Sequence, residues 1–327
     1  MDMELGVAVP VSGSWATPDN CLTVAGWAEE LGYRSLWTFQ RLLSPIDEPP
    51  GEPPGEPPGE PLAGTAGGEP PVERLEPQYR SVLDPLAVLA FVAGHTRSAR
   101  LGVAVVNAPY YSPLLLAKSL TTIDRLSNGR LDAGIGIGWL PQEFEGVGAP
   151  YEHRGRRVED FLRCLEAIWT EEVVDYRGEF YRVPASRIEP KPVQRPHPPV
   201  LLGGTAEAAL RRAGRLGAGW VSSSRADLGA IGRSIDVVRS AAEAAGRDPE
   251  SLRIVCRAVA KVRRGERAPM TGSLDEIRSD LGRLAAAGVT EAFIDLNFDP
   301  LVGSPGADPA VSLDHARRVL EALAPAG

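Results

Sequence analysis

The 327-residue sequence lacks several features that would place it in other protein classes. Its three cysteines are isolated and odd in number, which excludes a disulfide framework and a cysteine-ligated zinc motif. No apolar run reaches the roughly 18 residues of a membrane span, so we expect no membrane partner. A net charge of −8 lacks the basic footprint that nucleic-acid binding needs. With no signal-peptide pattern at the N-terminus, these absences predict a cytoplasmic protein.

Sequence signatures of common nucleotide-binding and hydrolytic enzymes are also missing. There is no Walker sequence, no Gly-x-Ser-x-Gly elbow and no His-Glu-x-x-His. The four histidines are scattered, and we therefore predict no metal site. The run Gly134-Ile-Gly136-Ile-Gly138 has its third glycine one residue too early for the Rossmann fingerprint, and it lies within a strand.

Strand-like apolar runs alternate with helical patterns along the chain. The predicted strands are residues 5–9, 35–39, 101–106, 131–137, 200–202, 220–222, 253–260 and 292–296. The predicted helices are residues 17–31, 84–95, 113–126, 154–169, 206–216, 226–245, 274–287 and 314–323. Eight strands, each followed by a helix, predict an α/β fold in which residues 1–327 form a single (β/α)8 TIM barrel domain. A doubly wound sheet is the structural alternative.

Two insertions depart from a minimal barrel, one after strand 2 and one after strand 4. The first, residues 45–79, is rich in Pro, Gly and Glu and repeats Gly-Glu-Pro-Pro. Such a composition predicts a flexible, extended spacer, with a lid as the other interpretation. The second, residues 140–199, predicts a helix, a β-hairpin of residues 173–176 and 180–183, and an irregular Pro-rich path.

Gly203-Gly204-Thr205 lies between a predicted strand and a predicted helix. We expect Thr205 to be the N-cap of that helix, which begins at Ala206. Free N–H groups at a helix start make an anion site. A tight strand-to-helix turn with no ligand explains the same residues equally well.

Blocks in a characteristic order resemble the bacterial luciferase-like monooxygenase superfamily, and in detail its F420-dependent branch, which is common in actinobacteria. The blocks are residues 31–37 (LGYRSLW), 100–105 (RLGVAV), 113–118 (PLLLAK), 124–130 (DRLSNGR), 136–139 (GIGW), 151–157 (YEHRGRR), 178–181 (GEFY), 190–192 (PKP) and 202–205 (LGGT). The resemblance covers nearly the whole chain except residues 45–79.

This resemblance implies a (β/α)8 barrel that binds a reduced flavin or the deazaflavin F420 at the carboxyl ends of its strands. It implies a non-prolyl cis peptide in a bulge at Ala104-Val105, behind the central ring, and a phosphate held by the 203–205 turn. Gly138 would let the cofactor tail pass close to the fourth strand. The implied cofactor-binding residues are therefore Ala104, Val105, Gly138, Gly203, Gly204 and Thr205.

The sequence departs from the family pattern where proton transfer would occur. Relatives commonly carry an acid followed by His after the second strand, and this chain has Gln40-Arg41. Gln is not a general base, and Arg stays protonated, so Arg41 is expected to stabilise negative charge on the substrate or to pair with a glutamate of the insertion. Some relatives carry an acid where this chain has Trp139, and Glu143 is expected to be a solvated helix-start residue. Gln40, Arg41, Asn107 and Trp139 are the candidate catalytic residues.

Three functions follow from the resemblance. The first is an F420-dependent oxidoreductase that transfers hydride between the deazaflavin and a small organic substrate. The second is an FMN-dependent monooxygenase, and a partner reductase would supply the reduced cofactor. The third is a flavin-binding barrel that has lost catalysis. Barrels of this family are often dimers, and the helix of residues 113–126 suits either a homodimer interface or core packing.

Overall fold

The computed structural model describes residues 3–46 and 75–325. In chain order the strands are β1 (Glu4–Ala8), β2 (Ser35–Thr38), β3 (Arg100–Val103), β4 (Val106–Asn107), β5 (Leu131–Gly136), β6 (Val174–Arg177), β7 (Arg182–Ser186), β8 (Val200–Gly203), β9 (Gly219–Val221), β10 (Arg253–Val259), β11 (Lys261–Val262), β12 (Thr271–Gly272) and β13 (Glu291–Asp295).

The α-helices are α1 (Pro18–Glu30), α2 (Pro85–Ala93), α3 (Pro113–Leu126), α4 (Pro141–Val147), α5 (Arg154–Thr170), α6 (Glu207–Leu216), α7 (Ile231–Ala244), α8 (Leu274–Ala286), α9 (Pro300–Gly303) and α10 (Pro309–Leu323). Short 3₁₀ turns occupy Pro77–Arg80, Ala108–Tyr110, Leu228–Ala230 and Pro249–Ser251. Within the described part of the chain, no helix has both the length and the apolar content needed to cross a bilayer.

Eight parallel strands form the centre of the molecule. Their order is β3, β2, β1, β13, β10, β9, β8 and β5, and pairing of β3 with β5 closes the sheet on itself. This closure confirms the predicted (β/α)8 barrel. The doubly wound alternative is wrong, because an open sheet would leave β3 and β5 as separate edges.

Local sequence signals explain where most helices begin. Thr17 accepts a hydrogen bond from the Asn20 amide at the start of α1, and Ser273 forms a capping box at the start of α8. The predicted helix 226–245 is shorter than expected, because the Asp227 carboxylate accepts from the Gly229 amide and caps a 3₁₀ turn ahead of α7. The last helix begins earlier than predicted, at Pro309, where Asp308 is the N-cap.

The insertion after the fourth barrel strand contains α4, α5 and the predicted hairpin, which pairs β6 with β7 antiparallel. Asp160 on α5 fixes this hairpin by accepting hydrogen bonds from the amides of Phe180 and Tyr181 and from the Tyr176 hydroxyl. A side chain at Gly178 would collide with the Asp160 carboxylate, which explains the glycine at that turn.

The predicted insertion of residues 45–79 lies mainly outside the described residues, which resume at 75. Its last residues, 75–79, are described. Pro77–Arg80 forms a 3₁₀ turn, and Tyr79 is buried with its ring centroid 5.1 Å from that of Phe298 and 6.3 Å from that of Phe39. Tyr79 therefore belongs to the packed wall of the barrel.

The barrel interior holds a small apolar cluster in which Trp37 stacks on Phe293 with ring centroids 5.0 Å apart. Below it, at the amino ends of the strands, two buried acids pair with two half-buried arginines. These charges are Arg100, Arg253, Asp132 and Glu291, joined by ion pairs of 2.5–3.2 Å. In barrels of this kind, ligands bind at the opposite rim, at the carboxyl ends of the strands.

Candidate active site

The third barrel strand contains a bulge at its carboxyl end. From Gly102 to Val106 the chain advances four residues while its partner strand advances three, from Asp132 to Ile135, so one extra residue is accommodated. The peptide bond between Ala104 and Val105 is cis, as the resemblance implies. The predicted single strand 101–106 is thus two strands, β3 and β4, on either side of this bond.

Val105 lies over a floor of glycines contributed by neighbouring strands. A Cβ atom added at Gly136 would be 2.5 Å from Val105 Cγ2, and one added at Gly203 would be 2.9 Å from Val105 Cγ1. Carbon atoms pack at about 3.5–4.0 Å, so neither position accommodates a side chain beside Val105. The bulge and the end of β8 are therefore direct neighbours on one rim of the barrel.

The turn after β8 exposes backbone donors. Gly204 has φ +131°, where an L side chain is disfavoured, and its carbonyl accepts from the Trp220 indole at 2.8 Å. Helix α6 begins at Glu207, and its N-cap is Ala206, so the prediction of a Thr205 cap is wrong. The amides of residues 205–208 donate no hydrogen bond to any described residue. Thr205 itself is exposed, and these amides are free for an anion.

Gln40 and Asn107 connect the loops that follow the second, third and fourth barrel strands. The Asn107 amide donates to Gln40 Oε1 at 2.9 Å, and Gln40 Nε2 donates to the Tyr111 hydroxyl at 2.6 Å. Asn107 Oδ1 accepts from the Gly138 amide at 2.9 Å. Both polar atoms of Gln40 and the carbonyl of Asn107 are thus engaged within the protein. Their placement favours a positioning role for both side chains.

Gly138 occupies a left-handed backbone conformation, with φ +72°. A Cβ atom there would lie 2.8 Å from the Phe144 ring and 2.8 Å from the Tyr110 hydroxyl. Conformation and packing account for this glycine without a ligand, and contact with a cofactor tail stays a prediction. Burial and the adjacent Glu143 carboxylate raise the pKa of Tyr110, so its hydroxyl stays protonated and donates a hydrogen bond to Glu143.

Arg41 is buried between two aromatic rings. Its guanidinium carbon is 4.5 Å from the Tyr79 ring centroid and 4.9 Å from that of Trp139, and Arg225 lies 5.3 Å from the same Trp139 ring. Arg41 Nη1 is 3.1 Å from Glu143 Oε2, although Nε and Nη1 make no aligned hydrogen bond within the described chain. Two candidate residues, Arg41 and Trp139, are therefore in direct contact.

Glu143 is 1 % exposed, so the expectation of a solvated helix-start residue is wrong. Its carboxylate accepts from the Leu42 amide at 2.7 Å and from the Tyr110 hydroxyl at 2.9 Å, in addition to its pairing with Arg41. Helix α4 carries it inward, onto the loop that follows β2. Among the insertion's glutamates, which the sequence offered as alternative partners of Arg41, only Glu76 is described, and it forms no ion pair with Arg41.

Arg257 on β10 is a site residue that sequence reasoning missed. It is 6 % exposed and donates through Nε to Asp295 Oδ2 at 2.6 Å and through Nη1 to the Ala104 carbonyl at 3.4 Å. Its guanidinium lies between Phe39 and Phe298, 4.4 and 4.5 Å from their centroids. The available signal was a charged residue in an apolar strand, in phase with the inward-facing Val255.

Beside Arg257 the carboxyl rim opens into a cavity of about 310 Å³. It is lined by the loop that follows β9, by the end of β10 and by the segment around β12. No group of three or more His, Cys, Asp or Glu side chains arranged to hold a metal ion occurs in residues 3–46 and 75–325.

These features define a closed (β/α)8 barrel with a polar site at the carboxyl ends of its strands, where barrel enzymes carry their active sites. The chain belongs to the luciferase-like monooxygenase family, whose sequence model matches residues 3–279.

Two curated relatives match 172 residues of the chain. An FMNH(2)-dependent dimethylsulfone monooxygenase of Pseudomonas putida is 37% identical, over 52% of this chain and 46% of its own length. An uncharacterized protein of Mycobacterium tuberculosis is 36% identical, over 52% of this chain and 60% of its own length. The matched segment thus spans about half the length of these relatives.

Solved structures share the fold over the full length. A monooxygenase from Streptomyces bottropensis superimposes with a TM-score of 0.73 at 20% identity, and each chain is covered to 98%. An F420-dependent secondary alcohol dehydrogenase superimposes with a TM-score of 0.72 at 14% identity, and each chain is covered to 99%. At these identities the likeness concerns the fold alone.

Proposed function

We propose that the protein is an oxidoreductase that transfers hydride between F420 and a small organic substrate at the carboxyl rim of the barrel. The observation that carries this proposal is the adjacency of the Ala104–Val105 bulge and the 203–205 turn, which meet through the Val105 side chain. A tricyclic cofactor needs a flat support for its ring and anion donors for its phosphate. The bulge and the free amides after β8 match those two needs on one rim.

The reduced cofactor would supply the hydride. In this proposal the amides of residues 205–208 bind its phosphate, and the backbone at 104–105 supports its ring. Arg257 holds the Ala104 carbonyl in place, and Trp139 with Arg41 forms a wall beside the ring. Gln40 cannot act as a general acid or base, so a proton that the reaction requires comes from another group.

A second candidate is a reduced-FMN-dependent monooxygenase. The relative at 37% identity carries that dependence in its name, whereas the nine sequence blocks favour the F420 branch. Against the F420 branch, this chain has Gln40-Arg41 where relatives commonly carry an acid followed by His, and it has Trp139 where some F420 relatives carry an acid. Both candidates use the same phosphate turn and the same ring support, so the geometry of the site does not distinguish them. Measuring which of the two cofactors binds does.

The proposal includes two partners. A separate reductase would supply the reduced cofactor, as this chain has no second cofactor domain in its described part. A second copy of the chain would pack on α3, which buries Leu116, Leu120 and Ile123 but leaves Leu115 66% and Leu126 58% exposed. Light scattering of the purified protein tests the dimer. The cytoplasmic location stays a prediction.

The test of the function is a titration of the purified protein with F420 and with FMN, followed by cofactor fluorescence and visible absorbance. Micromolar F420 binding supports the first candidate, and FMN binding without an F420 response supports the second. Binding with no oxidation of the reduced cofactor across a broad substrate panel would support a barrel without catalysis. No binding of either cofactor overturns the proposal.

A charge-matched pair of variants locates the phosphate. Thr205→Glu places a negative charge beside the free amides, and Ser279→Glu places the same charge at an exposed position of α8. We expect Thr205→Glu to weaken cofactor binding by at least about tenfold, since like charges at an anion site cost at least about 1.4 kcal/mol. The Ser279→Glu protein is expected to bind cofactor as the unaltered protein does. An acid near a helix N-terminus stabilises the helix, so Thr205→Glu should fold.

A further inference from the structure

The cavity beside Arg257 carries a charge pattern that the proposed function does not use. Its floor includes Arg257, whose Nη2 donates to no described residue and is not enclosed by protein atoms. Its wall includes Lys261, a half-buried lysine whose ammonium forms no ion pair with a described residue. Asp227 is the single acidic lining residue, and it lies exposed at the mouth.

We propose that this cavity binds an anionic oxygen group of the substrate, a carboxylate or a sulfonate, between Arg257 and Lys261. The guanidinium is rigidly held by Asp295 and by two aromatic rings, so it presents Nη2 at a fixed position without an ordering cost. Arg257, although paired with Asp295, keeps a free Nη2 donor, and Lys261 adds a positive charge that no described acid pairs, so together they attract an anion. Ser224 and Thr271 supply hydroxyl donors in the same lining.

The volume is consistent with a small ligand. About 310 Å³ lies at the lower end of small-molecule sites, which is too small for a cofactor with a tricyclic ring and a phosphate tail. The same guanidinium that faces the cavity also bonds to the Ala104 carbonyl, behind the proposed ring position. An anion held there would place the rest of a short substrate beside the ring. This inference rests on the proposed function only in describing the ligand as a substrate.

The test compares methanesulfonate with dimethyl sulfone, a neutral molecule of nearly the same shape. Binding is followed by saturation-transfer NMR on the methyl protons, at constant ionic strength and without cofactor. We expect methanesulfonate to bind at least about tenfold more tightly than dimethyl sulfone, because a buried guanidinium and an anion form charge-assisted hydrogen bonds. Equal binding of the two probes would overturn the proposal.

Two variants with opposite expected effects on binding distinguish a local effect from a folding defect, because a folding defect would weaken binding in both. Lys261→Met should weaken methanesulfonate binding about threefold, as expected for a half-exposed ion pair. Asp227→Asn keeps an acceptor for the Gly229 amide, removes the one acid and should strengthen binding about twofold. Arg182→Met removes an exposed charge on β7, far along the chain from the cavity lining, and should change nothing. Arg257 is left intact, because its loss would leave Asp295 unpaired in the barrel.

The cofactor phosphate is the competing source of an anion. If inorganic phosphate displaces methanesulfonate and Lys261→Met also weakens FMN or F420 binding, the cavity is the phosphate site and the proposal is wrong. If cofactor binding is unaffected by Lys261→Met while methanesulfonate binding falls, the substrate assignment is supported. A protein that binds methanesulfonate but neither cofactor keeps the anion site and refutes only the proposed function.

Discussion

Replacing Gly203 by alanine is expected to disturb both stability and cofactor binding through a single contact. The added Cβ atom would lie 2.9 Å from Val105 Cγ1, well inside the 3.5–4.0 Å at which carbon atoms normally pack. Overpacking of this kind costs about 1–3 kcal/mol. If Val105 moves to relieve the contact, the ring support that it belongs to moves with it. We therefore expect a weaker cofactor complex as well as a lower free energy of unfolding.

A second substitution identifies the responsible contact. Val105→Ala removes both Cγ atoms, so the double variant with Gly203→Ala should be more stable than the two single losses predict, by about 0.5–3 kcal/mol. Gly282→Ala is the matched control, since a Cβ there meets nothing within 4 Å. In the interior of α8 that control should stabilise the protein by about 0.5–1 kcal/mol.

The assay is urea denaturation followed by tryptophan fluorescence, together with cofactor titration of each variant. Gly203→Ala with unchanged stability and unchanged affinity would refute the contact between the bulge and the β8 turn. So would a double variant whose loss equals the sum of its parts, because additivity indicates that two sites do not touch.

Three further outcomes are expected. Glu143→Gln leaves the Arg41 guanidinium unpaired in a buried position and should lower the free energy of unfolding by about 3 kcal/mol in urea denaturation; a loss below about 1 kcal/mol would contradict the buried pair. Burial alone would raise the pKa of Glu291, but the two surrounding arginines lower it overall. The ionised carboxylate therefore stabilises the folded state fully above the unfolded-state pKa of about 4.3, and this stabilisation is lost as the pH falls through the lower folded-state pKa. Glu291→Gln should therefore flatten the fall in urea midpoint below about pH 4, and an unchanged pH profile would count against this. Gly178→Ala should push the hairpin away from Asp160, which hydrogen exchange would detect as faster exchange confined to residues 174–186.

The barrel was predictable because local signals and long-range pairing agree. Apolar runs alternate with helical patterns, and glycines such as Gly32 and Gly129 adopt the positive φ that ends a helix. The bulge at Ala104-Val105 was different. Its residues are ordinary for a strand, and only the resemblance to a known family located it. A bulge is set by the register of the neighbouring strand, which a single stretch of sequence does not contain.

The environment of the candidate residues was the hardest feature to predict. Glu143 has the sequence context of a solvated residue in a first helical turn, yet α4 packs onto the loop after β2 and buries it against Arg41. Such a pair depends on tertiary contacts between distant segments. Thr205 has the composition of an N-cap, but the helix begins after Ala206, because the chain leaves the strand through Gly204 at a positive φ.

Arg257 could have been identified from its phase in the strand. Val255, two residues earlier, is inward-facing and apolar, so a charged residue at 257 must enter the barrel. Buried arginines require partners, and Asp295 on the adjacent strand β13 supplies one. Its second partner, the Ala104 carbonyl, follows from closure of the barrel and was beyond prediction from local sequence.

The central claim is that one cofactor bridges the Ala104–Val105 bulge and the turn after β8. A crystal structure of the protein with F420 or FMN bound tests it most directly. We expect a phosphate within hydrogen-bonding distance of the amides of residues 205–208 and a ring stacked on the backbone at 104–105. A cofactor bound elsewhere, with those amides still facing solvent, would contradict it.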